Sequence, residues 1–308
     1  MSVNRPCNQA VYLHNCFMKL ALATCTKQPN LHESDIPLIA LFKQYNIEAE
    51  AAIWNSPAVN WQNYDAVLIR SVWDYHLHET EFTQWLEALV ENGIYVLNPV
   101  NTILKNNHKF YLQQLEQSGI HIIPTVFIPS TESFSIPAIV ADSWKKAVIK
   151  PAVSAGSYLT KVFTAEEATA IENEYRTIAC ERDLLIQPFL PEVVSDGELS
   201  LLYFNRTFSH AVLKTPKQGD FRVQQEFGGH TVAYTPTSET LEAADKIIQH
   251  TAGELLYARV DGVILNGQFA LMELELIEPY LFFGYKPGAI ELFVKEAALL
   301  LNSHYHKG

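Results

Sequence analysis

The sequence predicts an α/β domain built on a parallel sheet, followed by an α+β domain whose strands are mostly antiparallel. Three observations carry this. Strand, helix, strand, strand, helix and strand patterns follow one another over residues 19–99, the rhythm of a small parallel sheet covered by helices. After Pro99 that rhythm gives way to short strands joined by loops. Near the end, Asn266-Gly267 separates two alternating apolar runs, a strong short-range hairpin signal.

Each element has its own signature. "KLALATC" (19–25) is a short apolar strand. Ser34 is placed to cap a helix over about 35–45, with Pro37 in its first turn. "EAEAAIW" (48–54) and "YDAVLIRSVW" (64–73) are the next strands. Phe82, Trp85, Leu86 and Leu89 fall at i, i+3, i+4 and i+7, predicting a helix over about 79–91 that stops at Gly93. "IYVLNP" (94–99) is a fourth strand. A helix is expected over 106–118, then strands at 121–128 and 146–150 with a loop over 129–138 between them. Thr164 and Glu167 form a capping-box pattern for a helix over 165–179. Strands follow at 183–189, 198–204 and 207–214. A glycine-containing loop at 218–230, a helix over 239–256, a hairpin over 258–276 and a helix over 288–301 complete the chain.

Composition bounds the function. The 308 residues are 48% hydrophobic and 18% charged, enough for about two domains with a sizeable core. A net charge of −12 argues against nucleic acid or an anionic membrane surface as partner. No run of about 18 apolar residues is present, so no transmembrane helix is expected. The early run "LALATC" is too short for a signal peptide. Cys7, Cys16, Cys25 and Cys180 show no paired short spacing, which indicates neither a zinc site nor a disulfide framework. A cytoplasmic protein with free thiols is the expectation. Residues 1–17 read as a poorly ordered extension, or Met18 as the true start.

Four stretches can carry chemistry. In "YARVDGVILNGQFALMELELIEP" (257–279), Glu273 and Glu275 share one strand face, as do Arg259 and Asp261. A strict two-residue turn sets Asp261 opposite Met272. A three-residue loop or an equivalent bulge sets Asp261 opposite Glu273 and Arg259 opposite Glu275, and that register is the one expected. Met272, Leu274 and Leu276 then face the core. Converging carboxylates repel unless a cation joins them, and hard oxygen ligands suit Mg2+. The alternative is a solvated acidic face with Arg259 paired to one member. In "VIKPAVSAGS" (148–157), Lys150 ends an apolar strand before a loop of small residues, which calls for a negative partner and lets backbone approach a phosphate. Lys109 stands near the start of the helix expected over 106–118. "LLIQPFLPEVVSDGELS" (184–200) offers backbone groups to a planar base, and Asp196 or Glu198 to a ribose. "KTPKQGDFRVQQEFGGH" (214–230) offers Lys214, Arg222 and the glycines Gly228 and Gly229 to an anion, or is a surface loop. Neither GxxxxGK[ST] nor GxGxxG occurs.

The order and spacing of these pieces resemble the ATP-grasp superfamily, in the branch similar to prokaryotic glutathione synthetase, over nearly the whole chain from about residue 19. "IRSVWDYHLH" (69–78) is similar to ATP-grasp ligases of the cycloserine-forming type. The resemblance implies a pre-ATP-grasp substrate domain over 18–105 and an ATP-grasp domain over 106–308, with a lid subdomain at about 122–187. It implies that Lys109 and Lys150 contact ATP, and that a loop with Ser154, Gly156 and Ser157 closes over the β- and γ-phosphates. Gln187, Phe189 and Leu190 would bind adenine, and Asp196 or Glu198 the ribose. Asp261, Glu273 and Glu275 would hold Mg2+, as two ions, with Mn2+ an alternative. Where the wider family usually has asparagine, this chain has Glu275. Arg222, with Gly228 and Gly229 in its loop, would hold substrate carboxylate and acyl phosphate. Arg259 and Lys150 would offset transition-state charge. Arg70, Trp73, Asp74 and Tyr75 lie where such enzymes bind the acceptor.

The activity implied is ATP-dependent carboxylate–amine ligation through an acyl phosphate, with small-molecule substrates and homo-oligomeric assembly left open. Two alternatives stand beside it: an intramolecular ring-closing ligase, and a non-catalytic ATP-binding regulatory relative.

Overall fold

The strands β1 (Met18–Thr24), β2 (Ile47–Ile53), β3 (Ala66–Ser71) and β4 (Tyr95–Leu97) pair in parallel in the order β2-β1-β3-β4. The computed structural model describes residues 17–141, 144–217, 219, 222–223 and 228–305, so the expected extension, Phe17 aside, lies outside the described residues. β3 is buried at every position, as a central parallel strand covered on both faces must be. The helix α2 (Glu79–Glu91) covers one face with Phe82, Trp85, Leu86 and Leu89, the predicted stripe. The helix α1 (Ile36–Phe42) covers the other.

Ser34 does not cap α1. Its hydroxyl pairs with the His32 ring, and Asp35 occupies the cap position while its carboxylate binds Arg70. The helix expected over 106–118 is instead two, α3 (Val100–Asn107) and α4 (Tyr111–Gln117). His108 is extended between them, and the Lys109 amide donates to Ala152 O at 2.9 Å rather than to a helical carbonyl. The tertiary bond wins over the local pattern.

A second sheet, in the order β5-β8-β6-β7, is antiparallel. Its strands are β5 (Val126–Ile128), β6 (Lys146–Pro151), β7 (Lys161–Thr164) and β8 (Leu184–Pro188). The expected loop over 129–138 runs into a short helix, α5 (Ile136–Val140), capped by Ser135 and tied through its Ile136 amide to Glu172. Thr164 and Glu167 form the predicted capping box ahead of α6 (Ala168–Ala179). β7, with no sequence signal of its own, forms by pairing with β6.

After the short α7 (Pro191–Ser195) comes a third sheet, in the order β11-β10-β9-β12-β13. It holds β9 (Glu198–Phe204), β10 (Thr207–Thr215), β11 (His230–Tyr234), β12 (Tyr257–Leu265) and β13 (Gln268–Glu275). β11 starts at the last residue of the expected loop and runs through a stretch for which no element was expected. The helix α8 (Ser238–His250) ends six residues before the expected 256, because Thr251 is extended and Arg206 collects the carbonyls of Ile248, Thr251 and Gly253. The last helix, α9 (Ala289–Tyr305), buries Phe293, Val294 and Leu301 in one cluster with Leu20 and Leu22 of β1 and Leu202 and Phe204 of β9. It thereby locks the first sheet to the third. Asn98 and Asn106 repeat that lock at the hairpin: their amides bind backbone at 256, 257, 274 and 276.

Candidate functional site

The hairpin register decides the site. Asn266 and Gly267 both have positive φ, 52° and 80°, so the turn is the two-residue kind and Leu265 faces Gln268. That turn alone would oppose Asp261 to Met272. A bulge after Asp261 inserts Met272 as the extra residue, and Asp261 then faces Glu273 while Arg259 faces Glu275. The expected pairing is therefore reached by the bulge, not by a longer loop. Gly262 makes the bulge possible: a Cβ there would lie 2.4 Å from Phe269 Cζ and 2.5 Å from Ala270 O. Met272 is half-buried: it packs against the core cluster of Ile123, Leu190 and Val263 and also lines the cleft.

A cleft of about 670 Å³ lies among the three sheets. It brings together Lys109, Lys150, Ser154, Gly156, Ser157, Gln187, Phe189, Leu190, Glu198, Arg222, Arg259, Asp261, Glu273 and Glu275 from separate parts of the sequence. Trp73 and Tyr75 reach it from the first sheet.

Its charges are interlocked. Arg259 Nη2 donates to Asp261 Oδ2 at 2.9 Å and also to Glu275. Ser200 Oγ donates to Asp261 Oδ1 at 2.5 Å. Lys214 lies between Glu198 and Asp261. Lys109 Nζ stands 3.3 Å from Glu273 and donates to Ser154 O at 2.5 Å, which ties the first lysine to the small-residue loop. In that loop Gly156 and Ser157 both adopt left-handed backbone, with φ of 57° and 61°.

These contacts set the protonation states. Burial opposes charge on Asp261, but Arg259 and Lys214 overcome it and hold the carboxyl down at about 2. Burial likewise opposes charge on Glu273, yet Lys109 and Lys150 keep it below its ordinary value. Burial pushes Glu275 up to about 7 despite Arg259, with Asp261 and Glu273 adding repulsion. Glu278 goes up to about 8 by burial, and Glu275 adds to it. Lys150 is lowered by burial, against the pull of Glu273.

Several expected contributors stand elsewhere. Asp196 is exposed and takes a hydrogen bond from Ser195, and Glu198 alone of that pair lines the cleft, where it meets Lys214. Arg70 is 1% exposed, pairs with Asp35 and does not line the cleft. Asp74 accepts from Trp54 Nε1 at 2.8 Å. Gly228 is exposed, and neither it nor Gly229 lines the cleft. The three carboxylates do not form one open cluster: among the described residues no group of three His, Cys, Asp or Glu is arranged to hold a metal, because Arg259 occupies the space between Asp261 and Glu275. Asp261 and Glu273 remain a facing pair of hard oxygen donors. Lys214, the last residue of the strand expected over 207–214 and grouped with the basic stretch after it, is a buried residue of β10. Its signal was the one that marked Lys150, a lysine ending an apolar strand. Glu278 and Ser200 had no comparable signal.

Comparison with known proteins gives concordant results. Residues 109–278 match the family described as prokaryotic glutathione synthetase, ATP-grasp domain. Residues 20–98 match the N-terminal domain of D-cycloserine synthetase DcsG. The chain is 27% identical over 188 residues to the cycloserine biosynthesis protein DcsG of Streptomyces lavendulae, covering 58% of this chain and 61% of that protein. It is 26% identical over 205 residues to glutathione synthetase of Nitrosomonas europaea, covering 66% and 60%. The matches thus span about six tenths of each curated relative. In three dimensions the crystal structure of D-cycloserine synthetase DcsG superposes with a TM-score of 0.81 at 22% identity, over 92% of this chain and 99% of that one. D-alanine–D-alanine ligase of Bacillus anthracis superposes with a TM-score of 0.67 at 13% identity, over 94% and 99%. No helix among the described residues is long and apolar enough to cross a membrane.

Proposed function

The chain belongs to the prokaryotic glutathione synthetase ATP-grasp family, and on that premise we propose that it is an ATP-dependent ligase joining a small-molecule carboxylate to an amine. One observation carries the reading. The bulge sets Asp261 against Glu273 in a cleft that also holds Lys109 and Lys150, so two hard-oxygen ligands and two ammonium groups surround one space. Metal carboxylates without cations would suit a cation alone, and lysines without carboxylates an anion alone. Both together suit a metal-complexed polyphosphate.

Asp261 and Glu273 would hold Mg2+, which usually takes one or two carboxylates plus substrate phosphates. Bound there, the ion would neutralise charge on phosphate oxygens. A second ion, or Mn2+ in place of Mg2+, would engage Glu275 once Arg259 turns from it toward the acyl phosphate. Lys109 and Lys150 would bind the polyphosphate, and the 154–157 loop would close over it. Gln187, Phe189 and Leu190 would face adenine, and Glu198 the ribose. In the first step a substrate carboxylate oxygen attacks the γ-phosphorus, the β–γ bridge breaks and ADP leaves. In the second an amine nitrogen attacks the acyl carbon, phosphate leaves and the nitrogen loses a proton. Arg222 and Arg259 would balance the oxyanions of both steps. Residues 18–105 would form the acceptor domain and 106–308 the ATP-grasp domain, with a lid at about 122–187. A ring-closing reaction within one molecule is the second reading, supported by the likeness of residues 20–98 to the N-terminal domain of a D-cycloserine synthetase.

The test is ADP and phosphate release from Mg-ATP across a panel of amino acids and small peptides. Substrate-dependent release of both, with an amide product, supports ligation. ADP formation without any acyl-transfer product refutes it. Turnover needing no second substrate selects ring closure.

A further inference from the structure

The small-residue loop is held from both ends and from the side. Gly156, Ser157 and Leu159 all adopt left-handed backbone, Leu159 with a φ of 48°. That conformation is uncommon for residues with a Cβ, so Ser157 and Leu159 do not keep it unaided. Lys109 Nζ ties the start of the loop by donating to Ser154 O at 2.5 Å. Tyr175 of α6 ties its end by donating to Leu159 O at 2.8 Å. Between them the ring of Tyr158 meets the ring of His76, with centroids 5.2 Å apart and planes at 58°.

That middle contact comes from the other domain. His76 lies in the turn over 75–77, just after β3 of the first sheet. Ala155 adds to it by packing against the first-sheet cluster that holds Val72 and Tyr75. Both rings stand behind the cleft wall. Residues 154–157 and 160 line the cleft, as do Trp73 and Tyr75, but neither Tyr158 nor His76 does. His76 is only 8% exposed and Tyr158 is half-buried. The pair therefore reaches the contents of the cleft only through the loop.

The contact is one of ring packing, not of charge. Burial, and then the charge of Lys109, hold His76 down at about 4, so the imidazole is neutral at pH 7. Its Nδ1 is buried without a hydrogen-bond partner. Two rings at this separation and tilt attract one another as an aromatic pair.

We propose that His76 is a positioning residue for the small-residue loop: it holds Tyr158, and thereby residues 154–157, in place along the cleft before nucleotide arrives. The proposal rests on the reading of 154–157 as the loop that covers the polyphosphate, and it names what seats that loop. A loop already seated loses less conformational freedom when nucleotide binds, so the seat is read as affinity. His76 shares one short segment with Trp73 and Tyr75, so the same residue joins the first-sheet wall of the cleft to the loop.

The experiment uses the full-length protein, with His76→Ala, Tyr158→Ala, the double variant and His76→Phe beside the parent. Hydrogen exchange over 154–160, without nucleotide, reads the seat itself. Calorimetry and stopped-flow mixing with Mg-AMPPNP read its consequence. Each alanine variant is expected to speed exchange over 154–160. Each should also raise the Kd for Mg-AMPPNP about 2- to 10-fold, the range of one aromatic pair, through faster release. The double variant should lose little more than either single one, because the two residues act as one contact. His76→Phe keeps a ring and should stay close to the parent. Tyr158 is half-buried in a loop, so Tyr158→Ala and His76→Phe carry the test should His76→Ala not fold. A parent-like Kd in either alanine variant overturns the proposal, as do losses that simply add in the double variant. Equal losses in His76→Phe and His76→Ala also overturn it, because the ring is then not what matters. If nucleotide shields 154–160 in the parent while the variants bind it equally well, the nucleotide reading stands and only the seat falls. A parent that does not bind Mg-AMPPNP overturns both.

Discussion

Replacing Gly262 by alanine tests whether the bulge builds the site. The new Cβ would stand 2.4 Å from Phe269 Cζ and 2.5 Å from Ala270 O, against an ordinary contact of 3.4–4 Å. Phe269 is only 6% exposed and packs among core residues, and the carbonyl is backbone, so neither gives way cheaply. Overpacking of this kind costs about 1–3 kcal/mol. At about 2–4 °C per kcal/mol for a chain of this class, the melting temperature falls by several degrees. Relief of the clash means opening the β12–β13 pairing beside Asp261, so the carboxylate moves away from Glu273. Gly262→Ala should therefore lose most of the melting shift that Mg-ATP gives the parent, a larger effect than its intrinsic destabilisation. Phe269→Leu in the same chain should recover part of the stability by vacating the ring position. Differential scanning fluorimetry with and without Mg-ATP measures both. A Gly262→Ala protein that melts with the parent and keeps its full nucleotide shift refutes the argument.

Three further outcomes are expected. Lys150→Ala removes a half-buried cation whose charge acts on Glu273, so the Mg-ATP melting shift should vanish; an unchanged shift would sink the role of Lys150 in nucleotide binding. Glu273→Gln keeps the shape but not the charge, and should fold normally while ADP release falls about 100- to 1,000-fold, the scale of losing one electrostatic contact at a reacting phosphate. His76 is held at about 4, first by burial and then by the charge of Lys109, against an ordinary 6.5. Its folded form thus binds fewer protons than its unfolded form between those values, so its contribution is complete above pH 6.5 and is lost as the pH falls toward 4. Urea melts across that window should show a steeper loss for the parent than for His76→Gln; parallel curves would exclude the histidine as the source.

Glycine, period-two alternation and strand-end charges made much of the site legible. That Arg259 and Asp261 share one strand face and Glu273 and Glu275 the next follows from period-two spacing around an Asn-Gly turn, while the bulge at Met272 is what sets the two pairs opposite each other. Lys150 was legible because a lysine ending an apolar strand needs a partner. Arg70 and Asp74 were expected at the acceptor site from the resemblance alone. Each finds its partner in a distant element, Asp35 and Trp54, and a partner 35 or 20 residues away leaves no periodic trace. The break at Lys109 was illegible for a related reason: its cause is a carbonyl at residue 152.

By itself the sequence determined the parallel sheet, the hairpin, the capping box at Thr164 and the set of charged residues from which a nucleotide cleft is made. Those features depend on local spacing, which a linear chain records. Only the tertiary structure decided which charges meet. It placed Arg259 between Asp261 and Glu275, gave Lys109 to Glu273 and Ser154, and buried Lys214 between two carboxylates. Electrostatic partners are chosen by distance in space and by burial, and both are set when the three sheets close on one another.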